Sequence, residues 1–287
     1  MITHPDVKIN IGLNVLRRRA DGYHDIETLF YPYREIHDTL EIIAGDDFSL
    51  TSAGLFGRYG TAGANGSIRQ GISGDGKLMI TIARKEGVDW DPLDDLCARA
   101  YRLLDKEFGL PPVKIFLEKL SPVGAGLGGG SSDAASTLAM LDGMFSLGIE
   151  KNALADYAAE LGSDCAFFIY DRPMFGEGRG EMLSECSFSD IDGYEIKVVA
   201  PEGIAVSTAE AYKGIVPGIP GTPLKEALLR PVDEWKDCVG NDFEKTVFPL
   251  HPELAAIKQS LYDSGAVYAS MSGSGSALFA IYPVSGK

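Results

Sequence analysis

The sequence has few cysteines, a deficit of basic residues and no long apolar run. Its four cysteines are widely spaced and form no C-x-x-C pair, so neither a disulfide scaffold nor a zinc site is expected. No apolar run approaches the roughly 18 residues that a membrane span needs. The 41 acidic residues outnumber the 26 basic ones, and a formal charge of −15 argues against a general nucleic-acid or anionic-membrane binder. We therefore expect a cytoplasmic protein with no nucleic-acid or membrane partner.

Glycine, in contrast, is concentrated in residues 121–137, which read S-P-V-G-A-G-L-G-G-G-S-S-D-A-A-S-T. Before this stretch, Val113, Ile115 and Leu117 alternate with polar residues as in a β-strand, and after it apolar residues recur at helical spacing. Glycines permit positive φ and close approach to a ligand. The first turn of a helix offers unpaired N–H groups and the positive end of the helix dipole. The order strand, glycine loop, helix therefore predicts a phosphate cradle.

Other glycine loops fit this stretch less well. Gly124, Gly126 and Gly129 satisfy G-x-G-x-x-G, but a dinucleotide fold also needs an acidic residue about 20 positions later, at the end of a second strand. The chain has a turn between helices there. The NTPase phosphate loop needs a lysine after its glycines, and a protein-kinase glycine loop lies in a hairpin. A flexible linker would not run directly into a patterned helix.

The motif P-x-G-x-G-L-G-G-G-S-S-D-A-A resembles the second motif of the GHMP kinase superfamily, whose members are small-molecule kinases. Residues 8–12 (K-I-N-I-G) resemble its first motif, and residues 271–277 (M-S-G-S-G-S-A) its third. The turn D-G-Y-H at residues 21–24, followed by E-T, resembles one branch of the family. That branch phosphorylates the 2-hydroxyl of diphosphocytidyl-methylerythritol in the non-mevalonate isoprenoid pathway. The matches extend over nearly the whole chain.

The resemblance implies a role for individual residues, with ATP and Mg²⁺ as cofactors and diphosphocytidyl-methylerythritol as the small-molecule substrate. Asp164 would be the catalytic base and Lys8 its electrostatic partner. Residues expected to bind the nucleotide are Pro122, Val123, Gly124, Ala125, Gly126, Leu127, Gly128, Gly129, Gly130, Ser131, Ser132 and Asp95. Residues expected to bind the substrate are Asn10, Tyr23, His24, Thr208 and Tyr212. The metal ligands stay unassigned, although Ser131 or Ser132 could contribute a hydroxyl.

For the aromatic residues, side-chain chemistry agrees with the roles that the resemblance implies. Tyr23 and His24 suit stacking on a base and hydrogen bonding to its edge, and Tyr212 would cover the base's other face. Relatives commonly have asparagine in the adenine pocket where this chain has Asp95. That departure leaves the details of adenine recognition open.

A structural interpretation is also open at several of these positions. Lys8 and Asn10 fit the solvated face of a half-buried strand. Asp164 fits a helix N-cap, as do Ser207 and Thr208. The basic residues 17–19 fit either an attraction for a diphosphate or a solvated turn.

The implied fold is the two-lobed GHMP kinase fold, of the α+β or α/β class, with the active site in the cleft between the lobes. Residues 1–172 would form the ATP-binding lobe, with a mixed sheet and helices, and residues 173–287 an α/β sandwich lobe. Both a monomer and a homodimer stay open. The competing functions are a homoserine- or mevalonate-type kinase, a nucleotide-binding module without catalysis, and a dinucleotide oxidoreductase.

Local patterns predict the elements within these lobes. Helices are expected from Asp91 to Gly109 and over residues 151–161 and 254–262. Strands are expected over residues 8–15, 36–43, 196–200 and 278–281. The glycine-rich residues 46–77 predict an irregular excursion or a β-ribbon.

Overall fold

The computed structural model of the protein describes residues 1–45, 47–60 and 66–284. Its strands are β1 Ile2–Thr3, β2 Asp6–Arg18, β3 His24–His37, β4 Thr39–Ala44, β5 Ile68–Ile72, β6 Leu78–Arg84, β7 Val113–Lys119, β8 Met174–Glu177, β9 Met182–Ser184, β10 Tyr194–Val199, β11 Tyr268–Met271 and β12 Leu278–Pro283. Its helices are α1 Ser52–Tyr59, α2 Leu96–Phe108, α3 Gly129–Phe145, α4 Lys151–Leu161, α5 Cys165–Tyr170, α6 Thr208–Tyr212, α7 Leu224–Ala227, α8 Trp235–Cys238, α9 Glu244–Val247 and α10 Pro252–Asp263. Among these described helices, none combines the length and apolarity that crossing a membrane requires.

The chain folds as two compact units, neither of them continuous in sequence. The first unit comprises Met1–Val7, Tyr33–Val123 and Gly129–Asp171, and the second comprises Lys8–Pro32, Gly124–Gly128 and Arg172–Lys287. Early strands join the second unit because β2 and β3 share a sheet with β8 and β9. The sequence predicts two continuous domains divided at residue 172. That division is of a different kind from these discontinuous units, and it stays a prediction.

The first unit is built on a five-stranded sheet in the order β1-β4-β7-β6-β5. Strands β6 and β7 are parallel, and the other neighbours are antiparallel. On one face, Ile42 and Ile115 pack against helices α2 to α5; on the other, Ile43 and Phe116 pack with Leu55 of α1. Successive side chains of a strand point to opposite faces. The apolar runs of β4 and β7 therefore reflect a sheet covered on both sides.

The second unit contains the sheet β2-β3-β8-β9 and the sheet β10-β12-β11. Strand β12 lies between β10 and β11 and is antiparallel to both. Leu13 and Val15 of β2 share a core with Leu254 of α10 and Met271 of β11. The first strand of the unit is thus packed against elements from the C-terminal end of the chain.

The helix expected from Asp91 begins five residues later, at Leu96. Asp91 caps a 3₁₀ turn, Pro92–Asp94, and its carboxylate accepts from the Leu93 N–H at 2.9 Å. Asp95 then caps α2 and accepts from the Cys97 N–H at 2.9 Å. Two good capping residues follow each other, and the second one sets the start of the helix. Gly109 ends α2 with φ of 64°, as the sequence predicts.

Two further expectations change in the structure. The single strand expected over residues 36–43 is divided at Asp38, which turns its buried carboxylate toward the backbone N–H groups of Leu120 and Ser121. The glycine-rich residues 46–77 form helix α1 as well as strand β5, which pairs with β6 as a ribbon would. Residue 46 and residues 61–65 of that segment lie outside the described residues.

Candidate active site

The glycine-loop segment Gly124–Gly128 is held in the second unit by three successive carbonyl groups. The carbonyl oxygens of Ala125 and Leu127 accept from the backbone N–H groups of Ala277 at 3.1 Å and Lys8 at 2.9 Å. The Gly126 carbonyl between them accepts from Lys8 Nζ at 2.9 Å. A carbonyl and the N–H that follows it point in opposite directions across a trans peptide. The N–H groups of residues 126–128 therefore point away from these partners, as a phosphate cradle requires.

Gly124 and Gly126 of the loop are required for different structural reasons. Gly126 has φ of +77°, and a Cβ built on it would lie 2.1 Å from the Ser272 carbonyl oxygen. Gly124 has φ of +72° but nothing within 4 Å of such a Cβ. Both therefore need the left-handed backbone region that glycine tolerates, and Gly126 is also needed for close packing against the turn after β11.

Lys8 and Asn10 are buried beside this loop, so the solvated-face interpretation of these two residues is wrong. The Lys8 ammonium donates to Asn10 Oδ1 and lies 5.4 Å from the centre of the Phe30 ring. Asn10 Nδ2 donates to Thr28 Oγ1 at 3.0 Å, and Thr28 in turn donates to the Gly12 carbonyl at 2.6 Å. Alternation placed Lys8 and Asn10 on one face, and the network fixes both side chains there.

The aromatic residues expected around a base lie in the second unit. The His24 and Tyr212 rings are stacked, with centroids 4.7 Å apart and planes 16° apart, and Tyr212 packs edge-on against Phe243. Two rings in such direct contact leave no room for a base between them. Tyr212 therefore supports the imidazole, and its predicted role as the second face of the base requires the two rings to separate. Tyr23 is 58% exposed, and the Arg179 guanidinium lies 5.1 Å from its ring centre.

The charge state of His24 follows from its surroundings. Burial lowers the pKa of His24 below its usual value, and the positive charge of Arg18 lowers it further. The neutral imidazole can donate one hydrogen bond and accept another. One of its two ring nitrogens can thus meet the edge of a base, as donor or as acceptor.

Two other pairs of interpretations are tested in this unit: cap or substrate contact for Ser207 and Thr208, and solvated turn or diphosphate binding for the basic residues 17–19. Ser207 is the N-cap of α6 and accepts from the Glu210 N–H at 3.1 Å. Thr208 Oγ1 instead lies 3.5 Å from Ser274 Oγ, at the turn of the third motif. In the basic run 17–19, the first and last arginines both pair with Asp25, which favours the solvated-turn interpretation.

In the first unit, the glycine loop resumes after Pro122 and Val123 as the start of α3, which begins at Gly129 as the sequence predicts. Burial raises the pKa of Cys165 to about 11, and the side chain of Ser131, in the first turn of α3, acts against this rise. Cys165 begins α5, directly after Asp164. Asp164 is the N-cap residue of α5, as the structural interpretation predicts, but its side chain makes no capping hydrogen bond to the helix. The first turns of α3 and α5 thus meet, and Asp164 stands at that junction.

Asp95 has a local role that the sequence did not reveal. One of its carboxylate oxygens caps α2, and the other accepts from Trp90 Nε1 at 3.0 Å. This bond fixes the indole of a half-buried tryptophan. A role of Asp95 in adenine binding stays a prediction.

Sequence reasoning also missed a buried charge cluster at the entry to the glycine loop. Asp38, Lys119 and Asp133 are all buried in the first unit, and the Lys119 ammonium donates to both carboxylates. Ser121 donates to Asp38 through both its N–H and its hydroxyl, each at 2.7 Å. A charged residue at the end of an apolar strand, and another within an Ala-rich helix, were the available signals.

Burial and neighbouring charges shift the pKa values of Asp133 and Lys119 in this Asp38–Lys119–Asp133 cluster. Burial raises the pKa of Asp133 well above its usual value, because the attraction of Lys119 does not compensate and the charge of Asp38 adds to the cost. Burial acts to lower the pKa of Lys119, but the two carboxylates outweigh it and raise that pKa. Asp133 Oδ1 is buried and has no hydrogen-bond partner among the described residues. Lys119 is therefore held in its charged form, while burial opposes ionisation of Asp133.

Metal ligands remain unassigned by this geometry. Among the described residues, no three His, Cys, Asp or Glu side chains form a cluster that could hold a metal ion. The hydroxyls of Ser131 and Ser132, in the first turn of α3, are hard oxygen donors of the kind that Mg²⁺ accepts. They fit a metal that is held mainly by nucleotide phosphates and water.

Two family models match the chain. The model described as "GHMP kinases N terminal domain" matches residues 95–172, and "GHMP kinases C terminal" matches residues 224–285. A Bacteroides fragilis protein named 4-diphosphocytidyl-2-C-methyl-D-erythritol kinase is 44% identical over 98% of this chain and 92% of its own length. A Parabacteroides distasonis protein of the same name is 40% identical, with the same two coverages of 98% and 92%.

Solved structures resemble the chain over almost its whole length. A crystal structure of 4-(cytidine 5'-diphospho)-2C-methyl-D-erythritol kinase has a TM-score of 0.70 and 30% identity, and the match covers 98% of this chain and 90% of that one. A homoserine kinase from Cytophaga hutchinsonii has a TM-score of 0.62 and 15% identity, covering 98% and 86%. The second likeness concerns the fold alone.

Proposed function

Because the chain belongs to the GHMP kinase family and has its fold, we propose that it transfers the terminal phosphate of ATP to the 2-hydroxyl of 4-diphosphocytidyl-2-C-methyl-D-erythritol. This reaction belongs to the non-mevalonate route to isoprenoid precursors. Relatives at 40% and 44% identity bear the name of that kinase. The cytoplasmic location expected from the sequence is part of the same proposal.

The observation that carries the choice of acceptor is the stacked pair of His24 and Tyr212, next to Tyr23. A neutral imidazole held flat by a second ring can make one directed hydrogen bond, as donor or as acceptor, with the edge of cytosine. The exposed Tyr23 ring offers a stacking face for the base. A small alcohol such as homoserine or mevalonate has no group that would use this aromatic set.

The glycine loop and the first turn of α3 would hold the phosphates of ATP. The N–H groups of residues 126–128 are turned away from their carbonyl partners and can donate to anionic oxygens. Gly129 and Gly130 begin α3, whose dipole adds positive potential at its N-terminus. Mg²⁺, with Ser131 or Ser132 among its donors, would neutralise part of the phosphate charge.

Lys8 and Asp164 would serve the acceptor alcohol. The transition state of phosphoryl transfer is loose, with its charge spread over oxygens, so catalysis depends on positioning and electrostatics. Asp164 would accept the proton of the 2-hydroxyl as that oxygen attacks the terminal phosphorus. The buried Lys8 ammonium, fixed by Asn10 and the Gly126 carbonyl, would stabilise the negative charge that develops.

One assay tests this proposal against its alternatives. ADP release is coupled to a spectroscopic readout, and 4-diphosphocytidyl-2-C-methyl-D-erythritol, homoserine and mevalonate are offered in parallel with ATP. We expect acceptor-dependent ADP release with the cytidine compound and none with homoserine or mevalonate. Turnover with homoserine or mevalonate and none with the cytidine compound would reject the proposal, and so would no turnover with any of the three.

A further inference from the structure

Asn241 holds the turn of the third glycine motif from behind. Its Nδ2 donates to the carbonyl oxygens of Met271 and Gly273, both at 2.8 Å. Its Oδ1 accepts from the Phe243 N–H at 2.9 Å. The side chain is 4% exposed, and both of its amide hydrogens and its oxygen are used. Asn241 therefore fixes the backbone on both sides of Ser272.

Ser272 connects that turn to the glycine loop and to the strand that carries Lys8. Its hydroxyl accepts from the Asn10 N–H at 3.2 Å and donates to the Gly126 carbonyl at 3.0 Å. The same Gly126 carbonyl accepts from Lys8 Nζ at 2.9 Å. The residue is fully buried. One hydroxyl thus bridges the first, second and third sequence motifs.

The Ser272 hydroxyl affects both the position of the Lys8 ammonium and the proposed phosphate cradle. The Gly126 carbonyl is a fixed acceptor for the Lys8 ammonium, so its position sets where the ammonium lies. Because the same peptide group carries the Leu127 N–H, rotating this carbonyl would also turn one donor of the phosphate cradle. The close packing of Gly126 against the Ser272 backbone leaves the carbonyl little freedom while the turn stays in place.

We propose that Ser272 and Asn241 are positioning residues for phosphoryl transfer, acting through the Gly126 carbonyl on the Lys8 ammonium and the cradle. This inference rests on the proposed function for its kinetic consequence but not for its structural one. A displacement of about 1 Å in a catalytic group can cost up to about a hundredfold in rate. Losing one of the two donors to Gly126 is a smaller disturbance, so we expect kcat to fall about tenfold.

The test compares Ser272→Ala with Ser272→Thr, which keeps the hydroxyl. Ser270→Ala is the matched control, because Ser270 is equally buried in β11 but donates to Glu244 Oε1 and not to the glycine loop. For each variant kcat, the KM values of both substrates, the melting temperature and the hydrogen exchange of peptides covering residues 124–128 are measured. Asn241→Asp, of the same shape but without the two donors, is the second test should Ser272→Ala fold poorly.

We expect Ser272→Ala to lower kcat about tenfold, with KM for the cytidine substrate within about threefold of wild type. Exchange in residues 124–128 should accelerate at least about tenfold. Ser272→Thr should recover kcat to within about threefold, and Ser270→Ala should leave kcat and this exchange unchanged. Asn241→Asp should show the same kcat-dominated loss.

The inference is overturned if Ser272→Ala keeps kcat within twofold of wild type, or if threonine is as impaired as alanine. Should the wild type fail to phosphorylate the cytidine compound, the proposed function is wrong, and the exchange measurement alone then decides the inference. Unchanged exchange in residues 124–128 of folded Ser272→Ala would overturn it in that case.

Discussion

The imidazole of His24 is stacked on the phenol ring of Tyr212, although the two residues come from different chain segments of the second unit. His24 is at the start of β3, and Tyr212 is the last residue of α6. The contact fixes the plane of the imidazole before any substrate binds. Preorganisation of this kind lowers the entropic cost of binding.

Replacing Tyr212 should therefore weaken binding of the cytidine substrate. Without the supporting ring the imidazole would have to be ordered on binding, at a cost of about 0.5–1.5 kcal/mol, which corresponds to about two- to twelvefold in affinity. Tyr212→Leu should raise KM for the cytidine substrate by a factor in that range and leave KM for ATP unchanged. Tyr212→Phe keeps the ring and serves as the control. Equal KM increases for both substrates would contradict a role confined to the base site.

The protonation of His24 predicts a pH dependence of substrate affinity. The pKa of His24 is lowered in the folded protein, so its neutral form is favoured and persists until the pH falls through that lowered value. The usual histidine value is about 6.5. KM for the cytidine substrate should therefore stay flat at neutral pH and rise only at a pH below this usual value. His24→Gln should show a higher KM with a flatter profile. A parallel rise in this variant would assign the titration to another group.

The two glycines Gly126 and Gly124 form a matched pair for the loop. Alanine at either position adopts a positive φ, at a cost of roughly 1–2 kcal/mol. Gly126→Ala also drives a Cβ against the Ser272 carbonyl, and such overpacking costs roughly 1–3 kcal/mol more. Chemical denaturation should rank Gly126→Ala well below Gly124→Ala in stability. Equal stabilities would show that the loop does not pack against the third motif as described.

The buried Asp38–Lys119–Asp133 cluster predicts unequal effects of two similar substitutions. Asp38 accepts from Lys119 and from two backbone N–H groups, so Asp38→Asn should cost about 3–5 kcal/mol of unfolding free energy, as breaking a buried pair does. Burial raises the pKa of Asp133 and so opposes its charged form, and asparagine carries no charge, so Asp133→Asn should cost less than Asp38→Asn. Denaturant titrations at pH 7 measure both, and a greater loss in Asp133→Asn would contradict the raised pKa of Asp133.

The raised pKa of Asp133 also gives the sign of a pH effect on stability. Its contribution is fully present below the unfolded pKa of about 3.9 and is lost as the pH rises through the raised folded value. Asp133→Asn has no carboxyl group to titrate. The melting temperature of this variant should therefore gain on that of the wild type between pH 5 and pH 8. A difference that is constant with pH, or that moves against the variant, would show that Asp133 is ionised in the fold.

Local patterns predicted much of the fold. Helix α4 begins and ends at the predicted residues, because its apolar stripe is regular, and β2 follows from its alternation. The GHMP kinase fold expected from the motifs is confirmed by the solved neighbours. The predicted start of α2 was wrong because two aspartates four residues apart, Asp91 and Asp95, both act as caps.

The candidate site was predictable where short motifs carry it and unpredictable where distant residues meet. The loop conformation and the location of Lys8 beside it follow from the sequence. Asp38 reaches Lys119 and Asp133 only through the sheet, and Asn241 reaches the third motif only through the packing of the second unit. Nothing in the spacing of these residues indicates such contacts. The convergence of Lys8 and Asp164 on the acceptor stays a prediction.

The turnover number of Asp164→Asn, compared with that of wild type at saturating ATP and cytidine substrate, tests the central claim most directly. General base help is worth about 10²–10⁴-fold, so kcat should fall at least about a hundredfold while the melting temperature changes little. The kcat of Lys8→Ala, measured in the same assay, should fall by a similar factor. A folded Asp164→Asn enzyme with near wild-type turnover would contradict the claim that this carboxylate accepts the proton of the alcohol.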